Sequence, residues 1–543
     1  MDGGAAQEEM SLKLKREIKE NAQRRRWVLP PPGNSDATRC NIPRVTQEPP
    51  DQDTSQAHRE THPTPTPPQR GPSCVLTRKD TPKDTSIPFS RSDSILFTFY
   101  LEQVHPFLFP FYNPSPLSGG RSWILEMMLS SLVHQAAYLY QSSYLFSLAQ
   151  RSGSESLHPN PNHQPRPDAN INIDADKVLT QTNDAFGVLH EALQVIDTPT
   201  SSCTEHIHGS VRILGSILQV QHFELTFSGF SSWQAHLNGA VALFKHLLDS
   251  QIPSAVMKHL GSSTGLNGLM NGGSVRSAEQ AAFGFAAALL VLDDVVAGTA
   301  MQEEPRLYAY HQSLLGNVDD GEPLLDLGAV VGCQNWIVLQ IGDIAVLDAW
   351  KQRGKMAGGL DMMELVYRGS RIREALDQHF TMLENRPISH QNEGTGTGLL
   401  DIFTKGFDVR STTATAQSII ATRIWAHAAF IYLSVVLSGW HPASVEIRYH
   451  VSRIIDLLSD LTPSALVRTM VWPFCVAGCL ADVSEEGQFR RLVESLHPPA
   501  LFGTVRYALT IMEEVWRNRG AGDSADCDLA TCFRGLGEMA LLV

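Results

Sequence analysis

Between Ile424 and Leu437 the chain reads IWAHAAFIYLSVVL, which is apolar on every side of a helix. A helix that is greasy all round must be buried, so the rest of the fold has to supply enough apolar surface to wrap it. Only His427 and Ser434 interrupt the run. At about 100° per residue, Arg423, His427, Ser434 and Ser438 fall within about 60° of one another and form one polar stripe. Buried polar groups cost free energy unless they are paired. The stripe therefore faces either complementary groups on a neighbouring helix or a wet or ligand-filled pocket, pairing within the core being the commoner arrangement.

Length and composition leave room for such a wrapping. The chain has 543 residues, 43% of them apolar, enough for a substantial core. Lys and Arg number 43 against 57 Asp and Glu, a net charge of −14. That balance disfavours nucleic-acid binding through the bulk surface, and contact with DNA would need a local basic module. The eight cysteines, Cys40, Cys74, Cys203, Cys333, Cys475, Cys479, Cys527 and Cys532, are scattered, as in a reducing intracellular compartment. The N-terminus lacks the apolar core of a secretory signal, and Ile424–Leu437 is too short and interrupted to span a bilayer. The sequence thus predicts a cytoplasmic or nuclear protein without membrane contact.

Residues 1–91 are dense in Pro, Thr and Ser and read as a disordered arm with a short basic helix over Ser11–Trp27. From 92 to 543 the pattern is helical. Helices are expected over Trp123–Leu148, Ser232–Leu248, Ala281–Val296, Asn335–Lys351, Ile447–Leu461, Thr462–Cys479, Phe489–Leu496 and Thr504–Asn518. The stretch HPFLFPFYNPSP departs from this: Pro106, Pro110 and Pro114 predict a broken, extended connection, while Phe107, Phe109, Phe111 and Tyr112 predict burial. Polar or glycine-rich loops are expected at 151–176, 260–276 and 393–398. No alternating strand pattern of useful length occurs, so the fold class is all-α, one large multi-helix domain behind a disordered arm.

The sequence contains no zinc-binding HExxH, dinucleotide fingerprint or Cys-x-x-Cys, and GSSTG at 261–265 lies in a glycine-rich linker that follows no strand, so no cofactor and no metal is expected. His206 and His208 would point apart on a helix and have no third ligand at suitable spacing. Cys475 and Cys479 share a helix face and read as core residues. Asp293 and Asp294 are candidates for an acid or base, although such a pair more often ends a helix or meets an arginine.

Taken in order, several patches resemble the fungal-specific transcription factor domain. They are Phe107–Tyr112 with Gly119, Gly120, Arg121 and Trp123; Ser232, Trp233, His236, Leu237, Gly239 and Ala240; and Gly332, Cys333 and Trp336 with Ile341, Trp350 and Lys351. Trp425, Tyr432 and Leu433 follow, then Trp472, Pro473, Ala477 and Gly478, and finally Glu513–Trp516. PFLFPFY is most similar to the acriflavine-sensitivity-control group. The resemblance covers roughly 92–520 and implies a large all-α effector domain of the kind that regulates genes, usually behind a six-cysteine zinc cluster. Before residue 92 the chain holds only Cys40 and Cys74, too few for that cluster.

Two functional readings follow. In the first, the domain is a cofactor-independent cyclase, a pericyclase of the intramolecular Diels–Alder type, acting on a terpenoid or polyketide intermediate of fungal secondary metabolism. Such chemistry needs a shaped apolar pocket and one or two hydrogen-bond donors. Its candidate catalytic donors are Arg423 and His427, with Phe107, Phe109, Tyr112, Trp123, Tyr138 and Ser434 lining the substrate site. The partner is then a hydrophobic small molecule, without direct nucleic-acid contact. In the second reading the protein regulates a fungal gene cluster from the nucleus without a zinc cluster of its own, either as a truncated form that has lost its zinc exon or as a partner that binds DNA only through another protein. The missing cysteines incline the sequence toward the first, and a homo-oligomer is compatible with both.

Overall fold

The computed structural model describes residues 90–115, 119–155, 203–227, 233–249, 277–316, 323–385, 399–519, 528–535, 537 and 539–543. The expected N-terminal arm, except its last two residues, lies outside these, as do its basic helix, the loops at 260–276 and 393–398 and most of the loop at 151–176.

Among the described residues the chain is helical, with no strand. It opens with α1 (Arg91–Phe99), a π-helical turn (Tyr100–Val104), α2 (His105–Leu108), α3 (Ser122–Ser130) and α4 (Leu132–Glu155). Next come α5 (Cys203–Phe227), α6 (Trp233–Asp249), α7 (Ala278–Met301), α8 (Tyr308–Leu315), α9 (Leu327–Val331), α10 (Asn335–Met356) and α11 (Met362–Glu384). The last group is α12 (Leu399–Ser438), α13 (Val445–Asp460), α14 (Val471–Cys479), α15 (Val483–Glu494), α16 (Gly503–Arg517) and α17 (Leu529–Arg534). Short 3₁₀ turns at Ser464–Thr469 and Pro499–Leu501 lie within it.

Two helices organise the packing. α12 is one, and it is buried continuously from Ile424 to Val436, as its composition requires. It is wrapped by α10, α11, α13 and α14. The other is α7, started by a capping box in which Ser277 accepts from the Gln280 N–H. Every residue of α7 from Phe285 to Ala300 is buried, against α3, α5, α6, α9, α10 and α17. α7 and α10 pack together, which joins the two groups. A second link is Trp472 of α14: its ring stacks on Trp425 of α12 at 5.4 Å, and its indole N–H donates to Thr299 Oγ1 of α7 at 2.9 Å. Both hubs, Ala278–Met301 and Thr413–Ser438, are long and apolar enough to cross a membrane, yet the protein buries 89% and 83% of their most apolar windows.

Close helix approach depends on two glycines. A Cβ at Gly369 of α11 would sit 2.3 Å from a Leu437 methyl of α12, and one at Gly478 of α14 would sit 2.1 Å from the Met512 sulfur of α16. α16 itself buries Val505, Ala508, Ile511, Met512 and Trp516 and leaves Arg506, Thr510 and Arg517 outside, an amphipathic helix against the core.

The structure corrects several element boundaries. HPFLFPFY is helical as far as Leu108. The preceding π turn, in which the His105 N–H reaches Tyr100 O, has already interrupted the ordinary ladder, so Pro106 at the start of α2 breaks no further bond. The helix expected over Trp123–Leu148 divides at Ser131, whose backbone is extended. That expected over Thr462–Cys479 is a 3₁₀ turn and then α14. Asp293 and Asp294 lie inside α7 rather than at its end.

Candidate functional site

The polar stripe of α12 meets α13. In VEIRYHVSRIIDLLSD, Ile447, Val451, Ile454, Ile455 and Leu458 bury one face, and Ser444 starts the helix by accepting from the Ile447 N–H. Glu446 and His450, four residues apart, lie on the same side and meet the stripe. His427 Nδ1 is 2.9 Å from His450 Nδ1. Ser434 donates to Glu446 Oε2 at 3.2 Å, and the other Glu446 oxygen takes the guanidinium of Arg373 from α11. Phe380 packs edge-on to His427 at 5.0 Å, and Phe430 stacks on His450 at 4.8 Å. Arg423 keeps one buried nitrogen, Nε, without a hydrogen-bond partner.

Burial, reinforced by His450, Arg453 and Arg423, pushes His427 down to about 3. His450 falls to about 4, again through burial, against an opposing pull from Glu446. Both imidazoles are therefore neutral at pH 7, one ring N–H donating to the other ring. Bases this weak do little proton transfer near neutrality.

The aromatic residues expected beside them lie elsewhere, around Phe285 of α7. Phe109, Tyr112 and Trp123 have ring centroids 4.9, 4.8 and 5.5 Å from Phe285. Trp123 donates its indole N–H to the Tyr112 hydroxyl at 2.8 Å. Tyr138 of α4 packs against Tyr100 at 4.5 Å, its hydroxyl buried without a partner. Phe107 lies under the guanidinium of Arg468, 4.2 Å from its carbon, and edge-on to Phe502. The structure thus brings Arg423, His427 and Ser434 together and gathers Phe109, Tyr112 and Trp123 around Phe285, with Phe107 set against Arg468 and Phe502. Among the described residues, neither of two cavities, one beside Phe109 and one between α13 and α15, is lined by both groups.

The acid pair of α7 is paired internally. Asp293 Oδ2 accepts from Gln221 at 2.9 Å and lies 3.0 Å from His222 Nε2. Asp294 accepts the Leu307 N–H at 2.7 Å, and burial raises it to about 6. The Cys475 and Cys479 sulfurs are 4.0 Å apart in the core, too far for a disulfide. His208 lies 3.7 Å from Glu279, and the His206 side chain is outside the described residues.

A cavity of about 60 Å³ lies beside Phe109, lined also by Phe111, His222, Leu289, Arg468 and Thr504. Of the expected site residues, Phe109 alone lines it. A wider groove of about 330 Å³, open to solvent, runs between α13 and α15 past Leu458, Gln488, Phe489 and Arg491. Sequence reasoning missed Glu446, His450, His222, Phe285 and Arg468. The i, i+4 spacing of Glu446 and His450 on an amphipathic helix was an available signal, as was the lone cation of SALVRTMVW at Arg468.

The family model for the fungal specific transcription factor domain matches residues 95–535. The chain belongs to this family. Transcription factor dibT of Pestalotiopsis microspora is 35% identical over 82% of the chain and 70% of its own length. Pestheic acid cluster transcriptional regulator 3 of Pestalotiopsis fici is 24% identical over 79% and 71%. The trichothecene biosynthesis transcription regulator TRI10 of Trichoderma arundinaceum is 24% identical over 78% and 91%. No solved structure matches.

These relatives overturn the expectation of an enzyme. Members of the fungal specific transcription factor domain family aligned along most of this chain are named regulators, not cyclases, and the cofactor-independent Diels–Alder reading is corrected accordingly. Geometry agrees: the expected donors and the expected aromatic walls sit apart, and a cavity of about 60 Å³ is small beside the roughly 300–1,000 Å³ of ordinary ligand pockets. A hydrophobic substrate for such a reaction has no support either. The inference failed because it took missing DNA-binding cysteines as a sign of a different activity, whereas family membership is carried by the helical domain itself.

Proposed function

We propose that this protein regulates transcription of a biosynthetic gene cluster from the nucleus, with residues 92–543 as its helical regulatory domain. The observation that carries this reading is the 35% identity to transcription factor dibT across 82% of the chain. The negative balance of the chain favours contact with promoters through a separate DNA-binding module over direct reading by this helical domain.

Under this reading His427 and Ser434 hold α12 to α13, Phe109, Tyr112 and Trp123 pack on Phe285 of α7, Tyr138 packs on Tyr100, and Phe107 packs on Arg468 and Phe502. Deletion of the gene in its source organism, followed by transcript profiling, tests it. Transcripts of one contiguous set of biosynthetic genes should fall together. Unchanged transcripts with accumulation of a single unclosed intermediate would contradict regulation.

A further inference from the structure

The 3₁₀ turn Ser464–Thr469 carries one cation, the half-buried Arg468, between the fully buried Val467 just before it and Met470 two residues after it. Its Nη2 is shut off from solvent and has no hydrogen-bond partner. Arg373, Arg448 and Arg519 each meet a carboxylate, in Glu446, Glu485 and Glu486. Arg468 has only the Phe107 ring beneath it, and that quadrupole compensates a desolvated charge less well than a carboxylate does. Burial alone draws its pKa down, to about 9, with no acidic group opposing it, so the guanidinium is still charged at pH 7.

Arg468 also lines a cavity. Phe109, Phe111, Leu289 and Val330 give it apolar walls, and the remaining polar lining includes Thr469, Thr504 and His222, which lies 3.0 Å from Asp293. An apolar chamber with a few convergent polar groups, one of them an uncompensated guanidinium, has the composition of a binding site for an amphipathic anion. One water occupies about 10–15 Å³ in this measure of volume, so about 60 Å³ holds on the order of four to six non-hydrogen atoms.

We propose that this cavity binds a small organic carboxylate, the carboxylate meeting Arg468 and the carbon chain meeting Phe109, Phe111 and Leu289. The site deepens the regulator reading by making the domain a receptor for an acidic metabolite. Its test reads binding alone, so failure of the site leaves the transcript result untouched, and the reverse holds too.

The probe is butyrate, compared with its neutral isostere butyramide, titrated by calorimetry into the purified full chain. Butyrate should bind saturably and at least about tenfold more tightly than the amide, the discrimination expected of a charge-assisted hydrogen bond. Arg468→Gln should abolish that difference, and Arg468→Lys should keep part of it. Equal affinity for the two probes, no saturable butyrate binding up to about 10 mM, or a preference that survives in Arg468→Gln would overturn the proposal. If Arg468→Gln fails to fold, the comparison of the two probes on the unaltered chain still decides.

Discussion

The hub helices α7 and α12 solve the same problem differently. Each is buried all round and each carries polar side chains into the core. α12 places its stripe on one face and meets a single partner helix, α13, whose His450 and Glu446 answer His427 and Ser434. α7 carries its two carboxylates side by side, so they point in different directions: Asp293 reaches α5 through Gln221 and His222, and Asp294 takes the backbone N–H of Leu307 in the turn before α8. A stripe at helical spacing calls for one helix, whereas adjacent buried acids call for two different neighbours.

The residue that ties the hubs together should give the largest effect. Trp472→Ala removes both the stack on Trp425 and the hydrogen bond to Thr299, and should cost about 3–5 kcal/mol in urea or guanidinium unfolding. A loss below about 1 kcal/mol would mean that the hubs are held together elsewhere. Next come the two internal pairings. His427→Leu strands His450 in the core, and Asp294→Ala strands the Leu307 N–H, each costing about 1–3 kcal/mol. If one is neutral and the other is not, the two solutions are not equivalent.

Acid should separate the hubs by sign. His427 and His450 are lowered from 6.5 to about 3 and about 4, so their contribution is complete above about pH 6.5 and is lost as pH falls through the folded values. Facing them are Glu446, Arg373, Arg423 and Arg453. Asp294 is raised from 3.8 to about 6, so its contribution is complete below about pH 3.8 and is lost as pH rises through about 6. Between these limits stability from α12 falls with acid while that from α7 rises. Denaturation midpoints across pH 4.5–7.5 should therefore show a steeper acid loss in Asp294→Asn and a shallower one in His427→Leu. The smallest effect is expected at the rim of the seam: Arg453→Ala removes an exposed i, i+3 ion pair with Asp456 and should change stability by no more than about 0.5 kcal/mol.

The same contrast explains what could be read in advance. α12 was legible because an uninterrupted apolar run with polar residues at helical spacing admits only a buried helix with one polar face. Its partners were legible in principle, since Glu446 and His450 share a face only a few residues on. The role of α7 was less so: Ala281–Val296 read as apolar, but no local pattern says that Asp293 pairs with residues some 70 positions earlier. The helical form of HPFLFPF was hidden because proline rules assume an unbroken α-ladder, and here a π turn precedes Pro106. Arg468 escaped notice since its environment is assembled from α2, α5, α7, α9 and the chain around it, none of them near in sequence. Function was misjudged for a different reason, because absence of a motif is weaker than resemblance along the whole domain.

The most direct test of the central claim is chromatin immunoprecipitation of the epitope-tagged full-length protein from its source organism, grown under conditions that produce its secondary metabolites. The account predicts enrichment at the promoters of the same contiguous biosynthetic genes whose transcripts fall on deletion. A tagged protein that complements the deletion but stays out of the nucleus, with no promoter enriched, would contradict it.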